Sequence, residues 1–325
     1  MKTSEIGCEV LTPMFSAGYD KRKAEYRVTE VKALMRYTFR IANHAEKINE
    51  LFKQERQWFG GASEEGKKRI TASPLRLTLD PTERLWFGNG REKLLLHGNK
   101  KNMASQPCFM KDTSITFNVR TSQNLLEQKP PISYENLLQL SFLLGGLGKR
   151  SRKGRGNVAV LSVKRGDGEV QSALHKSKGE LLTWILNQLN ALSGDGTFLK
   201  HGNKIVLKYD KSLYRIARRR PILYQITVGE CMEDVMAFLK AIDETCHESK
   251  KGKNMNVLGF AGRDCRFASA LIIGVVRIGP DLYPIYTQVS EVHSKYHREN
   301  AGEKWPGEFE CVEFMKSLGE EMKFK

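Results

Sequence analysis

The residues best suited to chemistry in this sequence lie in one stretch, Gly145-Gly146-Leu147-Gly148-Lys149-Arg150-Ser151-Arg152-Lys153-Gly154-Arg155-Gly156. Five of the seven residues from 149 to 155 are cations. Glycine tolerates positive φ and close backbone approach, so free N–H groups in such a loop can form a nest for an anion. Guanidinium groups beside it can fork onto phosphate oxygens. The chemistry expected is therefore the gripping of a phosphate backbone. Nucleotide hydrolysis fits poorly. Gly148-Lys149 would satisfy the Walker pattern only with glycine at 143 and a hydroxyl at 150, where Leu143 and Arg150 stand. The dinucleotide fingerprint also fails, because Ser151 occupies the place of its last glycine. A basic run can be no more than a solvated surface; the interleaved glycines favour binding.

A second group lies near the N-terminus. Lys32, Arg36 and Arg40 are spaced i, i+4, i+8, which puts them in one stripe on a helix. The preceding loop adds Lys21, Arg22, Lys23 and Arg27, and a helix N-terminus is itself an anion site. Together they read as one end of a nucleic-acid track. Acid–base candidates are few. His44, further along the same helix, and Asp20, in the loop, are the two groups that could serve RNA cleavage, which needs an acid and a base near the 2′-hydroxyl. Against that, a lone helical histidine is usually packed or solvated, and Asp20 beside Lys21 has the look of a turn residue. The six cysteines contain no C-x-x-C pair and read as small buried hydrophobes. His293 and His297 are four apart but lack a third ligand nearby, so no metal or other cofactor is expected.

The elements that must position these groups follow from periodicity. Residues 5–11 read as a strand ended by Pro13. Thr29 stands where an N-cap should, before a helix with Val31, Leu34, Met35, Thr38, Ile41 and Ala42 on one face, continuing towards Leu51. After a Gly60-Gly61 break come strand 74–79, a polar insertion 89–106, strand 114–120, helix 134–144 and strand 157–163. This order is the split βαβ of a ferredoxin-like fold. The turn Gly166-Asp167-Gly168 divides the chain into halves 1–165 and 166–325. The second half reads as helix 181–192, strand 204–209, strand 222–228, helix 232–245, strands 266–278 and 282–290, and helix 308–322. With 204–209 as fourth strand it is the same fold, permuted or incomplete. A short likeness between residues 69–75 and 266–271 points to duplication. The fold class expected is α+β, with two tandem ferredoxin-like (RRM-like, βαββαβ) domains.

Composition narrows the partner. In 325 residues, 53 Lys and Arg face 37 Asp and Glu, a formal net charge of +16. Self-repulsion of that size calls for a polyanion. The most apolar stretch, 268–276, is a strand's length, and residues 1–10 hold Lys2, Glu5 and Glu9 where a signal peptide needs an apolar run. A cytoplasmic nucleic-acid binder is expected, and no membrane partner. No helix-turn-helix is visible, and no aromatic RNP pattern marks a strand, so backbone gripping with little base preference is expected.

Certain motifs carry a family resemblance. Leu11-Thr12-Pro13, Gly18, Arg27-Val28-Thr29-Glu30-Val31-Lys32 and Leu34-Met35-Arg36 resemble the opening of RAMP proteins of CRISPR systems, and residues 145–156 look like that family's glycine-rich loop. Phe59-Gly60-Gly61 with Ser73-Pro74-Leu75 is similar to one branch, the first subunit of the type III-B Cmr effector complex. The chain departs from the pattern with Ala33 in place of glycine, and with Tyr37 and Phe39 in place of a tryptophan. The resemblance implies a non-catalytic subunit contacting guide or target RNA near the 3′ end of the guide, beside other RAMP subunits. Lys32, Arg36, Arg40 and the loop 145–156 would touch the RNA. The rival it leaves open is a RAMP endoribonuclease, in which Asp20 resembles in position the loop aspartate of the cutting subunits. A third class is a scaffold that binds an acidic neighbour.

Overall fold

A computed structural model of the chain describes residues 2–20, 22–62, 71–80, 88–96, 105–125, 130–208, 210–250, 258–261, 266–290 and 308–323. Lys21, residues 69–70 of the proposed repeat, Cys265 and the His293–His297 pair lie outside them.

The first half runs β1 (Lys2–Val10), α1 (Val28–Ala42), α2 (Ile48–Phe59), β2 (Leu75–Leu79), β3 (Gly90–Glu92), β4 (Gln106–Cys108), β5 (Ser114–Thr121), α3 (Tyr134–Leu144), β6 (Val158–Arg165) and β7 (Val170–Ser172). Its main sheet has the order β2-β5-β1-β6-β7 and is antiparallel throughout. Leaving out β7, this is the ferredoxin-like order, with β5 inserted between β2 and β1. Alternation does the sorting. Ile6, Cys8 and Val10 of β1 and Ile115, Phe117 and Val119 of β5 turn inward, where Met35 and Phe39 of α1 and Leu138 and Phe142 of α3 complete the core.

The second half runs α4 (Lys178–Ser193), β8 (Phe198–His201), β9 (Lys204–Leu207), α5 (Lys211–Ala217), β10 (Leu223–Val228), α6 (Val235–Lys250), β11 (Phe260–Ala261), β12 (Arg266–Phe267), β13 (Leu271–Ile278), β14 (Asp281–Val289) and α7 (Glu308–Lys323). Its sheet is ordered β13-β14-β10-β9-β8. Here β10, β13 and β14 take the first three places of a ferredoxin-like unit, and β9, which precedes them in the chain, takes the fourth. This is the permuted arrangement. Every residue of β10 is buried, the polar Gln225 and Thr227 included.

The two halves are joined through α3, which contacts β6 on one side and β13 and β14 on the other. It is buried nearly all round, so its sequence, rich in leucine on every face, lacks the polar stripe of a surface helix.

Several boundaries differ from expectation. Helix α1 starts one residue before Thr29, with Arg27 as an extended N-cap that makes no side-chain cap bond. It stops at Ala42 and does not reach Leu51. The Asn43 side chain turns the chain there, accepting from Ala45 N (2.8 Å) and donating to Gln54 (2.7 Å). The separate helix α2 that follows packs on α1. The insertion 89–106 contributes the hairpin β3–β4. The expected strand 266–278 is broken into β12 and β13. Past the Gly166 turn, β7 still pairs with β6, so the first sheet extends beyond residue 165.

Candidate nucleic-acid interface

The motif residues, far apart in sequence, come together. Asn157 N donates to Thr12 Oγ1 (2.9 Å), and Gly156 N to Pro13 O (3.1 Å), so Thr12-Pro13 clasps the end of the glycine-rich loop. Lys32 Nζ donates to Ser73 Oγ (2.7 Å), tying the start of α1 to the start of β2. Burial, and then the charge of Arg36, push the Lys32 ammonium below its usual range.

Arg36 and Arg40 extend the stripe as expected, and α2 gives them a common partner. Glu55, only 3% exposed, accepts from Arg36 Nε (2.5 Å) and from Arg40 Nε and Nη2 (2.6 and 2.7 Å). Arg36 Nη2 also reaches Gly60 O (3.2 Å). Burial alone would raise the Glu55 carboxyl, but the hydrogen bonds from Arg40 and Arg36 outweigh it and hold it low. Glu55 is thus ionised at neutral pH and holds both guanidiniums at the wall of an open cleft of about 270 Å³ between α1 and α2. Lys53 and Arg56 of α2 line the same cleft, making four cations to one carboxylate. Phe52, 42% exposed, stands among them. Cations with an exposed aromatic ring are the ingredients of single-strand binding: phosphates pair, and a base can stack. Lys53, Arg56 and Phe52 were not singled out from the sequence, because the helix period that would have aligned them was assigned to a longer α1.

The glycine-rich loop is placed differently from expectation. Arg155 is 1% exposed, and its Nη2 donates to Asp243 of α6 (2.6 Å), a carboxylate that is itself fully buried. Arg150, with φ +58°, pairs with the other Asp243 oxygen, and Leu96 N donates to the oxygen that Arg155 holds (2.8 Å). Lys153 is buried, reaching Ser269 Oγ (3.1 Å) and lying over the Phe314 ring. Arg152 donates to Ser269 O and stacks on Tyr37. The backbone is equally committed. The amides of Leu147, Lys149, Lys153, Gly154 and Gly156 all donate to protein carbonyls, that of Gly154 to Ile273 O of β13 (2.9 Å). An anion nest needs those amides free, so most of the loop binds the second half of the protein where a phosphate grip was expected. Arg155 (1% exposed) and Lys153 (8% exposed) have the least surface to offer a phosphate. Gly145, Gly146, Gly148 and Ser151 shape the turn, and Lys149, which donates to Gln106, is the exposed cation of the loop.

Gly156 shows why this loop needs glycine. Its φ is +67°, and a Cβ there would lie 1.9 Å from Leu147 O. The left-handed backbone alone costs an L-residue about 1–2 kcal/mol, and the clash adds to it. Gly156→Ala is therefore expected to lower the thermal midpoint by several degrees, and an unchanged melt would contradict the packing described.

The remaining candidates separate. Arg22 and Lys23 are exposed, and so is Arg27, which pairs weakly with Glu30 (3.7 Å). Asp20 accepts from Arg22 N (3.0 Å) and Nε (3.1 Å), and those bonds hold its carboxyl low. It is a turn residue. His44 does not face the basic cleft. Its ring lies against Phe198 of β8, 5.6 Å between centroids, with neither nitrogen hydrogen-bonded. Burial, helped by the Arg220 charge, pushes it down to about 4, so it is neutral at pH 7. Among the described residues no group of three His, Cys, Asp or Glu is placed to hold a metal, and no helix is long and apolar enough to cross a membrane.

The fold and these motifs have known counterparts. Residues 8–159 match the model of the RAMP superfamily. No curated relative matches the chain. Apo Cmr1 from Pyrococcus furiosus is 16% identical, with a TM-score of 0.54 over 98% of this chain and 97% of that one. A chain of the type III-B Cmr-beta complex bound to cognate target RNA is 12% identical, with a TM-score of 0.58 over 98% of this chain and 99% of that one. The same complex with AMPPnP and single-stranded DNA gives 0.57 at 12% identity. Residues 8–159 are thus similar to the RAMP superfamily, and the chain as a whole resembles Cmr1 in fold.

Proposed function

We propose that the protein is a non-catalytic, RNA-binding subunit of a type III-B (Cmr) CRISPR effector complex, acting in the cytoplasm in antiviral defence. It contacts the backbone of guide RNA, target RNA or both near the 3′ end of the guide, beside other RAMP subunits, and its halves, dividing near residue 166, act as two RAMP units. The observation that carries this reading is the α1–α2 cleft, where Arg36, Arg40, Lys53 and Arg56 surround one buried carboxylate with Phe52 at hand. Among the described residues the lining of the cleft carries an excess of three positive charges, and phosphate would match it. The solved structures it resembles support the assignment, since one is Cmr1 and the others are Cmr-beta complexes bound to target RNA. A nuclease reading would rest on His44 and Asp20, one buried without a polar partner and the other holding a turn.

The test spares Arg36 and Arg40, whose removal would strand Glu55 and confuse binding with folding. Lys53→Glu/Arg56→Glu changes only cations that Glu55 does not use. Wild type should bind single-stranded RNA with a steep salt dependence, and the double variant should bind about tenfold more weakly. Its log–log salt slope should fall by about 1.4, two contacts at about 0.7 each. The RNA should remain intact. Equal binding by both proteins would remove the cleft from the interface, and cleaved RNA would replace the reading with a nuclease.

A further inference from the structure

The second half carries its own basic run, which the sequence reading passed over. Between positions 208 and 220 stand Lys208, Lys211, Arg215, Arg218, Arg219 and Arg220, with Asp210 as the one acid. Helix α5 begins this segment, and the bonds Arg218 N to Tyr214 O (3.2 Å) and Arg219 N to Ile216 O (2.9 Å) carry the winding past its end. Ile216 and Ala217 are buried on one side, while Lys211, Arg215, Arg218 and Arg219 are exposed. Spacings of four and then three or four residues make these cations one ridge. Asp210 caps the helix, accepting from Ser212 N (2.6 Å).

Arg220 turns inward and fixes where the ridge lies. Its guanidinium donates to the carbonyls of Arg40 (2.8 Å), Asn43 (2.7 Å) and Ala45 (3.2 Å), at the C-terminal end of α1. Those oxygens have no partner inside the helix, and the helix dipole is negative there, so a cation is favoured. Ser290, just past β14, secures the other side by donating to Ala217 O (3.1 Å). Arg40 is the residue whose side chain lines the α1–α2 cleft. The ridge is thus pinned to the edge of that cleft by a contact between the two halves of the chain.

We propose that the ridge Lys211, Arg215, Arg218 and Arg219 is a second phosphate-binding surface, which continues the α1–α2 cleft onto the second half so that one RNA strand runs over both. The proposal rests on the reading of the cleft as an RNA site. An acidic protein is the poorer fit. A stable protein interface has an apolar centre, and none of the ridge residues is a large exposed hydrophobic; a phosphate backbone requires only charge.

The experiment compares wild type, Arg215→Glu/Arg219→Glu and Lys53→Glu/Arg56→Glu for binding to a single-stranded RNA of about twelve nucleotides, across a salt series, with polyglutamate as a second ligand. All four residues are surface cations, and unchanged melting curves check that each variant is folded. The ridge variant should bind RNA about tenfold more weakly, with its salt slope lower by about 1.4. Wild-type affinity and slope in the ridge variant, with loss in the cleft variant, would overturn the ridge and leave the cleft standing. Loss of polyglutamate binding with RNA binding intact would make the ridge a protein-docking surface and overturn it too. No loss in either variant, or no RNA binding by wild type, would overturn both readings.

Discussion

Replacing Asp243 with alanine is expected to cost the fold about 3–5 kcal/mol, the usual penalty for removing one partner of a buried ion pair. The carboxylate is fully buried and meets Arg155 on one oxygen and Arg150 on the other. Arg155 has 1% of its side chain in contact with solvent, so once Asp243 is gone its charge has nowhere to go. Leu96 N loses its acceptor in the same change. Against a total stability of about 5–15 kcal/mol for a typical domain, that is a large fraction. Urea denaturation should show a lower midpoint with a similar slope. The attraction is the smaller part of the effect, since desolvation opposes it, so Asp243→Leu with Arg155→Leu should recover much of the loss. A single alanine variant within about 1 kcal/mol of wild type would show that Asp243 is not the clasp between the halves.

Acidification from pH 7 to pH 4 should remove about 3 kcal/mol of stability through His44 alone. The imidazole is held down to about 4 by burial and by Arg220, while in the unfolded chain it titrates at 6.5. Above pH 6.5 it is neutral in both states and contributes no pH dependence. As the pH falls through 6.5 the unfolded chain takes up the proton and the folded one does not, so stability declines until about pH 4 and then levels off. A difference of about 2.5 in pKa corresponds to about 3 kcal/mol at 1.36 each. His175, also lowered by burial against the opposing pull of Glu180, adds in the same direction. Carboxylates such as Glu55 enter only at the acid end of the range. His44→Phe should flatten the stability profile between pH 6.5 and 4.5. It should also stabilise the protein at neutral pH, because two ring nitrogens without partners disappear from the interior. A variant with the wild-type slope would place the acid sensitivity elsewhere.

The elements were legible where the signal was local. Alternation marked β1 and β5, and the order of strands and helices gave the ferredoxin-like unit of the first half and the permuted one of the second. The basic stripe Lys32, Arg36 and Arg40 was read from helical spacing, and α1 does present it. The break at Asn43 was missed because it is made by side-chain bonds to Ala45 and Gln54 and by Arg220, which is remote in sequence. Losing that break hid α2, and with it Lys53, Arg56 and the carboxylate of Glu55.

Sequence by itself determined the fold class, the excess of positive charge and the positions where glycine is required. Those properties depend on neighbours within a few residues, or on sums over the whole chain. Tertiary structure alone decided which cations are spent. Arg155 and Arg40 are the same residue type in similarly basic surroundings, yet one is sealed against Asp243, 88 residues away, and the other shares Glu55 at the wall of an open cleft. A charge's role is set by its distance to the opposing charge and by the solvent between them, and neither quantity is carried by the local pattern of residues.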